Sequence, residues 1–102
     1  MPNFGRARKA LERRVLDGAG KASPSDRRSA FNNSGLPEPV GALVDTVARH
    51  AYRVADEDFA AARTSGMSED QVFEIVVCAA IGESARLYDT ALAALQSATG
   101  KE

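Results

Sequence analysis

The chain has 102 residues, 44% apolar and 26% charged, which is the size and balance of one domain around one hydrophobic core. No stretch approaches the roughly 18 uncharged residues of a membrane-spanning helix, so no membrane role is expected. No apolar segment follows the basic N-terminal residues, so a secretory leader is not expected and a cytoplasmic location is. One cysteine and one histidine exclude an internal disulfide, a C-x-x-C redox pair and a cysteine–histidine zinc cluster, and the residues point to no cofactor and no metal.

The net charge of −1 hides an asymmetry. Residues 1–28 carry Arg6, Arg8, Lys9, Arg13, Arg14, Lys21, Arg27 and Arg28 against three acids, and residues 29–102 carry five bases against eleven acids. A basic arm on an acidic body has two readings: contact with nucleic acid or lipid, or docking on the body of its own or a neighbouring subunit. Phe4 is the only aromatic residue near these bases, so stacking on nucleotides has little to work with. Docking is the better reading.

Five segments read as helical and none as a strand. Residues 4–17 set Phe4, Ala7, Leu11 and Val15 on one stripe, and Gly18 and Gly20 stop the segment. Ser23 to Asp26 offers capping oxygens for a short helix through Phe31, ended by Asn32, Asn33, Ser34 and Gly35. Pro37 and Pro39 mark the start of a third helix over 39–53, with Val40, Leu43, Val44, Val47, Ala51 and Val54 as its buried stripe. Asp56 is placed to cap a fourth, from Glu57 to Ser65, stopped at Gly66. Ser68 to Gln71 fits an S-x-x-Q capping box opening a fifth from about Glu69 to Ala98, with Gly82 as a candidate bend. The expected class is all-α, divided as a basic helix and arm over 1–22, a connector with a short helix over 23–38, and a helical core over 39–102. The Gly, Ser and Asn content of residues 18–36 suits a mobile connector, while Phe31 and Leu36 could anchor it.

The fifth segment is apolar on more than one side. Phe73, Val76, Val77, Ala80, Ile81, Leu87, Ala91 and Leu95 spread around it, and Ala79, Ala80, Gly82, Ser84 and Ala85 are small enough for close helix approach. A helix apolar nearly all round implies burial on several sides. A homo-oligomer is therefore expected.

Residues 42–92, above all Asp56-Glu57-Asp58 and the run Gly66-Met67-Ser68-Glu69-Asp70-Gln71-Val72 before a long Ala-rich segment, resemble the carboxymuconolactone decarboxylase and alkylhydroperoxidase D superfamily. The resemblance implies a helical fold of that kind. Its peroxidase-like members carry C-x-x-C-x-x-x-H before the Gly turn. Counting back from Gly66 puts those slots at Ala51, Val54 and Asp58, so the redox chemistry does not carry over. The decarboxylase branch, which also lacks the cysteine pair, implies acid–base chemistry on a lactone acid.

Each polar candidate has a structural reading beside the functional one. Cys78 sits in an apolar run and reads as a buried hydrophobe with a raised pKa. His50 is a general base or a helix-terminal histidine stabilised by the dipole. Asp56, Glu57 and Asp58 are a carboxylate cluster or helix-capping acids. Tyr52 reads as a core aromatic with its hydroxyl at the rim. Glu83 and Arg86, with Tyr88 and Asp89, form a pocket lining, an intersubunit pair or a surface pair. Catalytic candidates are His50, Asp58 and Glu83, and Arg49, Tyr52 and Arg86 are candidates for holding a substrate. The first functional reading is a non-redox oligomeric binding or accessory module, open to a separately encoded protein partner. A cofactor-independent decarboxylase or lyase acting on a small carboxylate comes second. Nucleic-acid contact through the basic arm comes last, against an acidic body and a sequence pI near 5.8.

Overall fold

The computed structural model describes residues 4–100. Five α-helices follow one another: α1 (Phe4–Asp17), α2 (Pro24–Phe31), α3 (Val40–His50), α4 (Asp56–Thr64) and α5 (Glu69–Thr99), with a 3-10 turn at Ala51–Arg53 after α3. Among the described residues there is no strand. Residues 1–3, 101 and 102 of the first and last sequence segments lie outside the described residues, as does the side chain of Phe4.

Local chemistry starts and stops these helices largely where it should. The Ser23 hydroxyl accepts the Asp26 amide at 3.0 Å, and Pro24 stands at the first helical position, where no amide is needed. Ser68 and Gln71 close the capping box reciprocally, at 3.1 and 2.8 Å. Gly66 adopts φ +117° between α4 and α5, a backbone that side chains with a Cβ rarely take. The cap of α4 differs from expectation. It is Asp58, one turn in, whose carboxylate accepts the Ala55 amide at 2.9 Å, and the helix begins at Asp56 itself. Helix α3 also ends earlier than its apolar spacing suggests, at His50. Ala51 is consequently exposed, and Ala48 is buried instead.

Helix α5 is the spine. Its inner face, Val72, Ile75, Cys78, Ala79, Gly82 and Ala85, is buried and joins Ala22, Ala30, Val40, Leu43, Val44 and Ala62 in one core. Helices α2 and α3 supply most of the cover, and α1 and α4 lie along the flanks. Burial of Ala22 and Ala30 shows that the stretch between α1 and α3 is part of this core. Of the expected stripe on α1, Val15 packs on the core beside Leu16, while Ala7 and Leu11 are exposed.

Gly82 is a point of contact within one uninterrupted helix. A Cβ built there would collide with the Phe31 carbonyl oxygen at the end of α2. Arg86 Nη1 donates to that same oxygen at 2.8 Å, so the last carbonyl of α2, which has no partner inside its own helix, is satisfied by a side chain of α5. Gly82→Ala is expected to lower stability by about 2–3 kcal/mol, the upper range for overpacking a tight contact. The urea midpoint measures it. An unchanged midpoint would mean that α2 does not seat on α5 in this way.

Candidate functional site

Two pairs of the sequence-derived candidates meet, His50 with Tyr52 and Glu83 with Arg86. His50 ends α3 on the exposed surface, its ring edge-on to Tyr52 at 6.0 Å between centroids. Tyr52 is 80% exposed with the Arg53 guanidinium over its ring at 5.5 Å, so it is a surface side chain and not the core aromatic that was expected. It sits on the 3-10 turn that follows α3, at a position outside that helix's apolar stripe. Arg49 pairs with Asp45 at 2.8 Å along α3. Asp58 is engaged as the cap of α4. Glu83 Oε1 takes both Nε and Nη2 of Arg86, at 3.2 and 3.1 Å, while Nη1 serves α2. Among the described residues, no hydrogen bond, ion pair or ring contact joins any two of His50, Asp58 and Glu83. Among the described residues, no group of three or more His, Cys, Asp or Glu gathers where a metal could be held. The three slots counted for the redox motif fall on a 3-10 turn, an extended link and the first turn of α4.

Two charged residues that sequence reasoning passed over are tied to backbone groups of the link between α1 and α2. Arg27 is 5% exposed and donates Nη1 to the Gly18 and Val15 carbonyls, at 2.7 and 3.4 Å. A cation is thereby buried at the negative end of the α1 dipole, with Nη1 bonded and the buried Nε without a hydrogen-bond partner. Glu74 accepts the Lys21 amide on both oxygens at 2.9 Å and the Ala22 amide at 2.8 Å, and Gln71 Nε2 reaches the Lys21 carbonyl at 3.3 Å. The amide bonds from Lys21 and Ala22 hold the Glu74 carboxyl below its usual range. These contacts clamp the link between α1 and α2. In the sequence, Arg27 was one base among eight and Glu74 one acid among eleven. Only a backbone turn brought back onto α5 distinguishes them.

Cys78 lies on the inner face, buried, and its Sγ donates to the Val15 carbonyl at 3.4 Å. Burial raises the thiol pKa, as expected of a structural cysteine.

The unusual surface is the outer face of α5. At 100° per residue, Phe73, Val77, Ala80, Ser84, Leu87, Ala91, Leu95 and Ala98 fall within about 40° of one line. That line lies opposite the buried one, and all but Val77 are exposed. Phe73, Leu87 and Leu95 are 67, 61 and 60% exposed. Past Ala85 the line of the inner face continues through Asp89, Ala93 and Gln96, with no large apolar side chain on it, and every residue from Leu87 to Gly100 is exposed. This arm gives the molecule its 51 × 28 × 20 Å extents. Helix α1 accompanies its start, where Arg8 pairs with Asp89 at 3.2 Å and covers the Tyr88 ring at 4.9 Å. On the other flank, between α4 and α5, a notch of about 420 Å³ is lined by Phe59, Val72, Phe73 and Val76, with Arg63 and Glu69 at its rim.

Among the described residues, no helix is long and apolar enough to cross a membrane. Compared with family models, with curated proteins and with solved structures, the chain matches none.

Two outcomes check the polar geometry. Because the folded-state pKa of Glu74 is depressed, its contribution is complete above the unfolded pKa near about 4.3 and is lost as pH falls through the folded value. Glu74→Gln should therefore cost about 1–3 kcal/mol at pH 7, with a gap to the parent chain that narrows below pH ~4, measured by urea unfolding at both pH values. Cys78 should resist a thiol reagent in the native state and react fully once the chain is unfolded.

Proposed function

We propose that the chain is a non-redox, homo-oligomeric binding or accessory module. The observation that carries this reading is the exposed apolar face of α5, which runs the length of the longest helix and holds three of the largest exposed apolar side chains, Phe73, Leu87 and Leu95. Contiguous apolar surface of that kind on a small protein marks an interaction site. The polar residues favour the same side of the question. Asp58, Glu83, Arg86 and Arg49 are each engaged in a helix cap or an ion pair, and His50 and Tyr52 stand on open surface. A cofactor-independent decarboxylase or lyase would need an acid and a base brought to one substrate, and among the described residues no contact joins any two of His50, Asp58 and Glu83. On this reading, the likeness of residues 42–92 to the carboxymuconolactone decarboxylase and alkylhydroperoxidase D superfamily is one of scaffold. The redox chemistry is gone with the cysteine pair, since Ala51 and Val54 stand at its slots.

Light scattering on the full chain at micromolar concentration is expected to give a multiple of the 10.8 kDa of one chain. A single-chain mass across that range would overturn the proposal.

A further inference from the structure

We propose that the occupant of the outer α5 face is a second copy of the same chain, with the two α5 helices antiparallel and the two-fold axis passing at Ser84. The C-terminal arm of each copy then lies over Phe73 of the other and along the notch beside it. This rests on the self-association proposed above and specifies its surface, orientation and register.

The arm gives the first reason. Fourteen helical residues follow Ala85, the last buried residue of α5, and from Leu87 onward the chain's own core buries none of them. The arm ends the helix on a left-handed Gly100 at φ +71°, and its only charge past Arg86 is Asp89. Solvent is a poor environment for it, and an apolar helix face is a good one.

The pattern is self-complementary. Phe73 and Leu95, bulky residues near the two ends of the face, are equally far from Ser84 in sequence. An antiparallel pair centred there sets each against the other, with Val77 against Ala91 and Ala80 beside Leu87. Between the bulky ends, larger side chains thus meet small ones on both sides of the axis, and the small residues at the centre let the helices approach closely. A parallel pair would set Phe73 on Phe73 and Leu87 on Leu87.

Charge selects the same orientation. The acids Glu69 and Asp70 open α5, while the C-terminal half of the face is neutral. Parallel helices would bring the two acidic starts and the two like dipole ends together. Antiparallel helices set the acidic start of one copy opposite the other copy's arm, and the start of α1 runs alongside that arm with its basic residues, as the contact of Arg8 with Asp89 fixes. The α5 face alone does not supply the whole area: twenty-five residues at 1.5 Å along a helix about 10 Å across present roughly 380 Å², about half of the ~800 Å² per partner of a stable interface. The flanking α1 and α4 are in position to add to it.

Variants of the full chain that each add one cysteine test the register under mild oxidation, with the buried Cys78 as an internal control that stays unlinked. Ser84→Cys should link to itself, because a residue on the axis brings its two copies within disulfide reach. Phe73→Cys and Leu95→Cys should each stay unlinked alone and link when mixed. Leu95→Glu, at an exposed position that leaves the helical circular dichroism unchanged, should weaken self-association at least about tenfold. A parent chain of single-chain mass would overturn both this inference and the self-association beneath it. If instead the parent chain is oligomeric while Ser84→Cys does not link, Phe73→Cys links to itself, or Leu95→Glu associates as before, this register is wrong and self-association stands.

Discussion

The contact of α2 with α5 at Gly82 governs the rest of the fold. With no side chain at Gly82, the C-terminal carbonyl of α2 can press directly on the long helix, and a Cβ would forbid the approach. Arg86, one turn further on, takes that carbonyl and is itself steadied by Glu83. Three residues spaced along one helix therefore receive the end of another. Charged residues that could be read as a pocket lining instead cap a helix terminus, which would otherwise be buried with an unsatisfied acceptor.

Seating α2 there obliges the chain to reverse between α1 and α2, and that reversal exposes backbone groups next to an apolar core. Glu74 and Arg27 answer the need from opposite sides, one accepting amides of the link and the other donating to carbonyls at the end of α1. Each charge is stabilised by dipoles that have no better partner, so neither is an isolated buried ion. The consequence reaches further than the turn. With its end fixed, α1 runs back antiparallel to α5, as the contacts of Val15 with Cys78 and of Arg8 with Asp89 require.

Much of this was legible in the sequence because it is local. Ser23, the Ser68–Gln71 box and Gly66 act within four residues of themselves, and they set the starts of α2 and α5 and the stop of α4 as read. The choice of face on α5 was not legible. Val72 and Ile75 lie inside at its start, but further along the small Cys78, Ala79, Gly82 and Ala85 lie inside while Phe73, Leu87 and Leu95 lie outside, because there the inner face is shaped by how closely α2 comes. Past Ile75, size alone points to the wrong side. Ala51 was misplaced because the stripe on α3 holds only while the helix does, and the 3-10 turn after His50 breaks its phase. Arg27 and Glu74 were invisible because their partners are backbone atoms more than a helix away in space or sequence.

Past Ile75, α5 turns small residues inward and large ones outward, which inverts the usual arrangement of a surface helix. That part of the inner face gains its stability from closeness, through dispersion contacts at backbone distance. The bulk is on the other side, in register over some 25 residues, and it continues past the body of the protein. There the inner line has already given way to a charge at Asp89 and an amide at Gln96, with only Ala93 between them. Were the arm merely an overhang of the folded body, its apolar side would continue the buried one. Leu87, Ala91 and Leu95 continue the exposed one. The sequence of the arm is thus matched to a surface that the chain's own core does not provide, which is the property expected of an interface and not of a helix end left in solvent.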